Sequence, residues 1–417
     1  MMFNDILKVL YAPHRAFNDI VKNPRYLGPL LILIIFVAAQ VGSAYVIASK
    51  SLVEQTTPAG DQADLWTENA ALWQANPGVA VTNNHLDFIN ATGYFNNTSI
   101  EFTADNASSV QMRLNDLGGS VNCGPDGFKN LSLRIKIVSP NTKPENVTVF
   151  LFSLSESNFF YYDLTSAFSN TTIVEQHLWN NITIPVGSED WSRSNSEAKW
   201  ENITGLRMDF TWPSSSSNID LLVDGLFFRG IFIGFLDAFG SSVFISSALN
   251  AVTPFLFQWL LLTGLMYLLI KGLKGKAGWK PLMIAVGFAL ITFVIQAVVL
   301  AVVFTQLWPI ERYPLEVLAN VPGEFDVAAQ VILNGRVQAN QAGSIVQVIT
   351  YVWTIALGAF ITRAVTSGTA IVATNTEPAP SDIGVATPQQ FGWLKSLLVS
   401  AASFLLSLLI LGFVLGV

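Results

Sequence analysis

Five long apolar runs set the limits on what this chain can fold into. Leu27–Ala48 holds 22 consecutive residues without a charge, and Thr253–Ile270, Pro281–Phe304, Gly343–Ile361 and Leu394–Val417 follow in the second half. At about 1.5 Å of helical rise per residue, each approaches or exceeds the ~30 Å hydrocarbon core of a bilayer. Only 12% of the 417 residues are charged, about half the ~25% usual in soluble proteins. The expectation is an integral membrane protein. The first run exceeds the ~7–15 apolar residues of a cleavable signal peptide and follows a long patterned leader, so it reads as an uncleaved anchor.

The flanks of the runs give an orientation. Lys8, Arg15, Lys22 and Arg25 precede the first, Lys271, Lys274, Lys276 and Lys280 crowd the loop between the second and third, and Arg363 and Lys395 bracket the last linker. The positive-inside rule puts all three on the cytoplasmic side. Five spans then leave the N-terminus inside and the C-terminus outside, in a plasma membrane. The loop Thr305–Ala342 falls outside, with Glu311, Glu316, Glu324 and Asp326 against Arg312 and Arg336. Residues 229–252 are apolar but carry Asp237 and several serines, and are read as a helix in the outer interface.

Residues 51–228 differ from the rest. They hold eight Lys/Arg against twenty Asp/Glu, and all nine N-x-S/T sequons of the chain: Asn90, Asn96, Asn97, Asn106, Asn130, Asn146, Asn170, Asn181 and Asn202. Such segregation suits an exported, glycosylated domain. Period-two alternation in Leu131–Val138, Val147–Ser153, Leu206–Thr211 and Ile219–Phe228, with turns between, predicts an antiparallel β-sandwich. Asp61–Gln74 is the one stretch with a helical period. The fold class is therefore an α-helical polytopic bundle of five transmembrane helices with an inserted all-β jelly-roll sandwich. Its parts are a cytoplasmic leader (1–26), a first transmembrane helix (27–48), the sandwich (51–228), an interfacial helix (229–252) and a four-helix remainder (253–417).

Trp179, Pro185, Trp200, Ile203, Leu206, Asp224 and Phe227 are spaced like the closing half of a jelly roll. This segment resembles galactose-binding and carbohydrate-binding-module domains, with 85–103 as the opening strand pair. The resemblance implies a glycan ligand stacked on aromatic faces, for which Tyr161, Tyr162, Trp191 and Trp212 are candidates. It also implies a structural calcium with Asp224 as a ligand. The alternatives are rings that fill the core and an aspartate that caps its own turn. His85 and His177 have no partner at metal-ligand spacing, and the single Cys123 has no partner within the chain.

The leader is amphipathic. Phe3, Ile6, Leu7 and Leu10 form one stripe, and Phe17, Ile20 and Val21 repeat it after Pro13. The stripe is suited either to the leaflet or to the cytoplasmic ends of the spans. The order Pro13, Phe17, Ile20, Pro24, Pro29 entering the first span resembles the opening of the Yip membrane proteins, named for interaction with Ypt/Rab GTPases. Lys271, Gly275, Trp279, Val286, Gly287, Phe288 and Ala289 resemble that family's second hairpin. Five spans with the N-terminus inside is also its topology. The large insertion after the first span is more like prokaryotic, archaeal-type relatives. Gln40, Gln258 and Gln296, one in each of three spans, are candidates for hydrogen bonds across the bundle.

No charge lies in the interior of a span, which argues against coupled transport. No Walker, H-E-x-x-H, C-x-x-C, G-x-S-x-G or G-x-G-x-x-G motif occurs, and a net charge of −7 leaves no footprint for nucleic acid. The expected function is non-enzymatic: a Yip-like membrane domain displaying a sandwich that binds glycan or another cell-envelope ligand. The alternatives are an adaptor recruiting a cytoplasmic partner at the Lys271–Lys280 loop, and a passive permease or lipid-translocating bundle.

Overall fold

The computed structural model describes residues 2–91, 93–169, 175–213, 217–240, 242–373 and 391–415. The chain forms two compact units. One contains Met1–Lys50, Phe235–Ile310 and Gly335–Val417; the other contains Ser51–Gly234 and Glu311–Asn334. In chain order, α1 (Met2–Tyr11), α2 (Pro13–Lys22) and α3 (Leu27–Ser49) lead into the strands. These are β1 (Ser51–Thr57), β2 (Trp73–Ala75), β3 (Val79–Asn84), β4 (Ser99–Ala107), β5 (Ser109–Leu114), β6 (Asn130–Ser139), β7 (Asn146–Ser153) and β8 (Ser155–Asp163). After the short α4 (Thr165–Ser169) come β9 (Asn180–Pro185), β10 (Ser192–Arg193), β11 (Ile203–Thr211) and the long β12 (Ser217–Gly234). Then follow α5 (Phe235–Phe239), α6 (Ser242–Gly272), α7 (Trp279–Ala289) and α8 (Ile291–Leu307). The chain closes with β13 (Glu311–Tyr313), α9 (Leu315–Leu318), α10 (Phe325–Gly335), α11 (Val337–Ala373) and α12 (Trp393–Leu415).

In the helical unit, five segments are long and apolar enough to cross a membrane: Leu27–Ser49, Ser242–Gly272, Trp279–Leu307, Val337–Ser367 and Trp393–Val414. Each contains most or all of one of the five apolar runs. The third joins α7 and α8 at Leu290. The interfacial helix expected over 229–252 is not an element of its own. Arg229–Gly234 complete β12, Asp237 lies in α5, and from Ser242 the chain is already in α6, which continues through Pro254 to Gly272. Its serines do not stop it because their hydroxyls donate back into the preceding turn: Ser246 to Ser242 O at 3.1 Å, Ser247 to Val243 O at 2.8 Å.

The leader caps this bundle. Ile6, Val9, Ala16, Phe17 and Ile20 are buried in one core with Trp259, Leu282, Phe288 and Ile361. Most of the amphipathic stripe is therefore spent on packing against the helices, not left for a leaflet. The two motifs that carry the Yip resemblance meet here. A Cβ on Gly28 would lie 2.0 Å from Phe288 Cζ, and one on Gly287 would lie 2.6 Å from Pro29 Cβ. Both glycines are required for that approach. Across the bundle, Thr292 and Thr354 hydroxyls hydrogen-bond at 2.7 Å, and Lys50 Nζ caps the end of α8 through the carbonyls of Phe304, Thr305 and Trp308 at 3.2, 2.8 and 2.8 Å.

The other unit is a sandwich of a seven-stranded and a six-stranded sheet. In the first, β12 lies between β4 and β6, its C-terminal half pairs with β1, and β3, β9 and β13 complete the sheet. The second runs β10-β8-β7-β11-β5-β2. The alternation expected in Leu131–Val138, Val147–Ser153, Leu206–Thr211 and Ile219–Phe228 falls in β6, β7, β11 and β12. Their inward residues, among them Leu133, Val149, Met208, Phe210, Leu221 and Val223, are at most 1% exposed.

Three expectations change. Residues 85–91 and 93–98 form no strand, and only from Ser99 does the proposed opening pair become one. Asp61–Gln74 is no α-helix but a series of single 3-10 turns ending in β2, because Asn69 and Asn83 side chains satisfy its backbone N–H groups. Finally, 311–334 belong to the sandwich, not to a four-helix remainder. Strand β13 pairs in parallel with β1, and Leu315, Ala319 and Val321 are buried with Phe95 and Phe227.

A ladder of ions explains that last result. Arg229 is held by Glu54 (Nε–Oε1 2.9 Å) and by Glu316 (Nη2–Oε2 2.8 Å). The fully buried Arg134 is held by Glu324 (Nη2–Oε2 2.9 Å) and lies 3.8 Å from Glu316. Glu54 also accepts from Leu315 N at 2.8 Å. The arginines hold the Glu316 carboxyl below the usual range, although burial opposes them. Two buried guanidinium groups would be costly alone; the acidic segment expected to be an outer loop neutralises them.

Candidate functional site

The outward face of the six-stranded sheet concentrates aromatic and charged side chains. In β7, Val147, Val149 and Leu151 point inward, which turns Thr148, Phe150 and Phe152 outward. Antiparallel register sets Phe150 opposite Tyr161 and Phe152 opposite Phe159 of β8, and sets Phe150 opposite Arg207 of β11. Ring centroids of Phe150, Phe159 and Tyr161 lie 5.6, 6.1 and 6.3 Å apart in a triangle. Phe150 and Phe159 are half-buried and Tyr161 is exposed. Gly205, opposite Phe152, keeps the strip low; a Cβ there would meet Leu114 O at 3.0 Å and Phe152 at 3.3 Å.

Polar groups border these rings. The Arg207 guanidinium lies 4.0 Å from the Phe150 centroid, with Nε 3.1 Å from Asp209 Oδ1. Arg113, paired with Arg207 across β5 and β11, sits 5.2 Å from Phe152 and bridges to Glu156. Arg207 Nε and Asp209 Oδ1 face each other in that ion pair and, like Arg113 Nε, are buried, whereas the Arg207 and Asp209 side chains as wholes keep 25% and 31% of their surface exposed. An apolar ring platform bordered by a partly exposed guanidinium and carboxylate has the chemistry to hold a pyranose: C–H faces on the rings, hydroxyls on the exposed atoms of Arg207 and Asp209.

Of the four expected stacking residues, only Tyr161 lies on this platform. Trp191 and Trp212 are 6% and 2% exposed, with their indole N–H groups donating to Pro185 O at 2.7 Å and Thr142 O at 2.9 Å. Tyr162, one residue out of phase with Tyr161, points inward to within 5.2 Å of Trp191. These three belong to the interior. Phe150 and Phe159 were not singled out, although a strand apolar on both faces, VTVFLFS, carries the signal.

Asp224 caps. Its Oδ2 accepts from Ile89 N and its Oδ1 from Gly225 N, both at 2.7 Å. Its neighbour Asp64 accepts from Asn96 N at 3.1 Å and Thr67 Oγ1 at 3.2 Å. Burial, and then the Asp64 carboxyl, push Asp224 well above the usual carboxylate range. Calcium takes about six to eight oxygens. All four carboxylate oxygens here already receive donors from the chain, and among the described residues no three acidic, imidazole or thiol groups are arranged to hold a metal ion. Calcium does not fit this arrangement.

Among the sequons, Asn90, Asn96, Asn97, Asn106, Asn146 and Asn181 are exposed, and Asn130 and Asn202 half-buried; Asn170 lies outside the described residues. Asn181 Nδ2 donates to Glu324 at 2.6 Å. Cys123 is buried, and burial raises its thiol to about 12. The three glutamines do not form a shared contact. Gln258 Nε2 donates to Ser407 Oγ at 2.9 Å, whereas Gln40 lines a separate cavity with Ser43, Ser247 and Asn250. Gln296 Oε1 has no donor among the described residues. Lys271, Lys274 and Lys280 are exposed, Lys271 near the Tyr267 ring and Lys280 near that of Tyr26. The linker Thr366–Gln390 lies largely outside the described residues.

No protein-family model and no curated protein matches the chain. Solved structures similar to it include a carbohydrate-binding module of the β-sandwich superfamily, at 12% identity and TM-score 0.27, covering 40% of this chain and 58% of that one. Another is the family 11 module from Clostridium thermocellum in complex with a β-1,3-1,4-mixed-linked tetrasaccharide (14% identity, TM-score 0.27, 43% and 95% covered). A third is a xylan-binding domain from Paenibacillus barcinonensis (12% identity, TM-score 0.25, 40% and 89% covered).

Proposed function

We propose that the chain is a non-enzymatic, Yip-like five-span membrane protein whose sandwich binds a cell-envelope glycan on the Phe150–Phe159–Tyr161 face. The observation that carries the reading is that face: three rings in mutual contact, not covered by the core, beside the partly exposed Arg207–Asp209 ion pair. Placement of both sandwich stretches on one side is supported by parity, while the choice of the outer side rests on the lysines and arginines that flank the apolar runs. With five spans, the chain between the first and second and the chain between the third and fourth lie on one side. Residues 51–234 and 311–334 fold into one unit, as that arrangement requires. The test is affinity electrophoresis of the full chain in mild detergent through gels containing β-glucan, xylan or an envelope polysaccharide. Retardation by one polymer, lost in the double variant Phe159→Ala/Tyr161→Ala, supports the reading. Mobility unchanged by every polymer sinks it.

A further inference from the structure

The helical unit carries a cleft that glycan binding does not use. It lies between α1, α2, the start of α3 and α7, encloses about 360 Å³, and has Gly28 and Phe288 in its apolar wall. That volume is within the ~300–1,000 Å³ of small-ligand sites. Its rim bears both signs of charge. Lys8 faces Asp19 at 4.0 Å, while Asp5, Lys22 and Arg25 have no charged partner among the described residues. Lys22 and Arg25 are exposed and Asp5 half-buried. The leader's apolar stripe is largely taken up in the bundle core, so its charged side is what it presents. Tyr26 and Leu27, where the first candidate span begins, directly follow Arg25.

We infer that this cleft binds a phosphate ester bearing a primary ammonium, namely the headgroup of a phosphoethanolamine lipid. The phosphate is met by Lys22 and Arg25, and the ammonium by Asp5, with the Lys8–Asp19 pair between them. A span that starts at Leu27 brings the cleft to the level of the headgroups, and in this respect the inference rests on the membrane reading above. A purely anionic headgroup leaves Asp5 opposed by like charge. A trimethylated ammonium has no N–H to donate to it.

The experiment is native mass spectrometry of the full chain in detergent, titrated with phosphatidylethanolamine, phosphatidylcholine, phosphatidylglycerol and soluble O-phosphoethanolamine. Phosphatidylethanolamine is expected to bind most tightly. Lys22→Ala/Arg25→Ala is expected to weaken it about tenfold, and Asp5→Asn to erase its advantage over phosphatidylglycerol. The loop variant Lys271→Ala/Lys274→Ala is expected to leave binding unchanged, and all variants are to melt as the parent does. Equal binding of the three lipids, or no effect of the Lys22/Arg25 variant, overturns the site. O-phosphoethanolamine binding as tightly as the lipid overturns the lipid source. Alkaline carbonate extraction of membranes tests the membrane reading separately: release of the chain refutes that reading, whatever the cleft binds.

Discussion

Arg207 and Phe150 face each other across β11 and β7, with the guanidinium 4.0 Å from the ring centroid. The contact sets the guanidinium over the ring while its Nε pairs with Asp209 Oδ1 at 3.1 Å. One side of Phe150 is thereby occupied, and the Phe159–Tyr161 side becomes the part of the cluster a sugar can reach. Phe159→Ala and Tyr161→Ala should each weaken glycan binding by about 0.5–1.5 kcal/mol, roughly two- to tenfold, with little change in melting temperature. Trp191→Ala should lower stability by about 3–5 kcal/mol. Affinity electrophoresis and thermal melting, run on the same samples, separate the two classes.

Breaking the ion ladder should be far more damaging than its position near a connecting segment suggests. Glu316→Ala takes one carboxylate from Arg229 and removes the second negative charge near Arg134, leaving it Glu324 alone. Loss of one partner of a buried pair costs about 3–5 kcal/mol. Denaturant melts of the full chain check this, and a Glu316→Ala protein as stable as the parent would refute the burial argument.

The acidic side of the sandwich should make stability depend on pH. Burial, opposed by the Thr98 hydroxyl and reinforced by Asp64, raises Glu68 from 4.5 to about 7. Burial, with Glu101 and Asp87, raises Asp220 from 3.8 to about 6. A carboxyl whose folded value is the higher one binds more protons folded than unfolded. Its stabilisation is complete below the unfolded value and is lost as pH rises through the folded one. Melting temperature should therefore fall between about pH 5 and pH 7 and level off above it, and Glu68→Gln should flatten the slope. Because the arginines lower Glu316, stability should also fall on further acidification, leaving an optimum near the acid end. Melts from pH 4 to pH 8 read both limbs.

In the helical unit, Gly287→Ala should be destabilising where Gly264→Ala is tolerated. A Cβ at Gly287 would press on Pro29 and Trp259, whereas nothing lies within 4 Å of one at Gly264. Overpacking of this kind costs about 1–3 kcal/mol. Thermal stability in detergent distinguishes the two.

Much of this architecture is legible in the sequence, for reasons that differ by element. The long apolar helices announce themselves as runs almost free of charge, and β6, β7, β11 and β12 because period two has one local cause. What is hidden depends on pairings distant in the chain. Tyr161 and Tyr162 are the same residue type; only strand parity in β8 sends one inward and leaves the other out. The leader's stripe is suited to a leaflet or a bundle, and Phe17 chooses the bundle through neighbours from α7 and α11. Glu316 and Glu324 read as ordinary outer-loop acids because their arginines are 87 and 190 residues away.

The clasp of 311–334 has a consequence for heredity as well as for stability. The sandwich is written in two separate stretches of the gene, with two of the long apolar helices, Ser242–Gly272 and Trp279–Leu307, encoded between them. A fragment covering only 51–234 would carry Arg134 and Arg229 into its interior with the counter-charges of Glu316 and Glu324 left behind. The sandwich therefore cannot be cut out, duplicated or exchanged as a single cassette. Any recombinant that moves it intact has to carry both stretches at once, so the sandwich and the two helices between its stretches are inherited together.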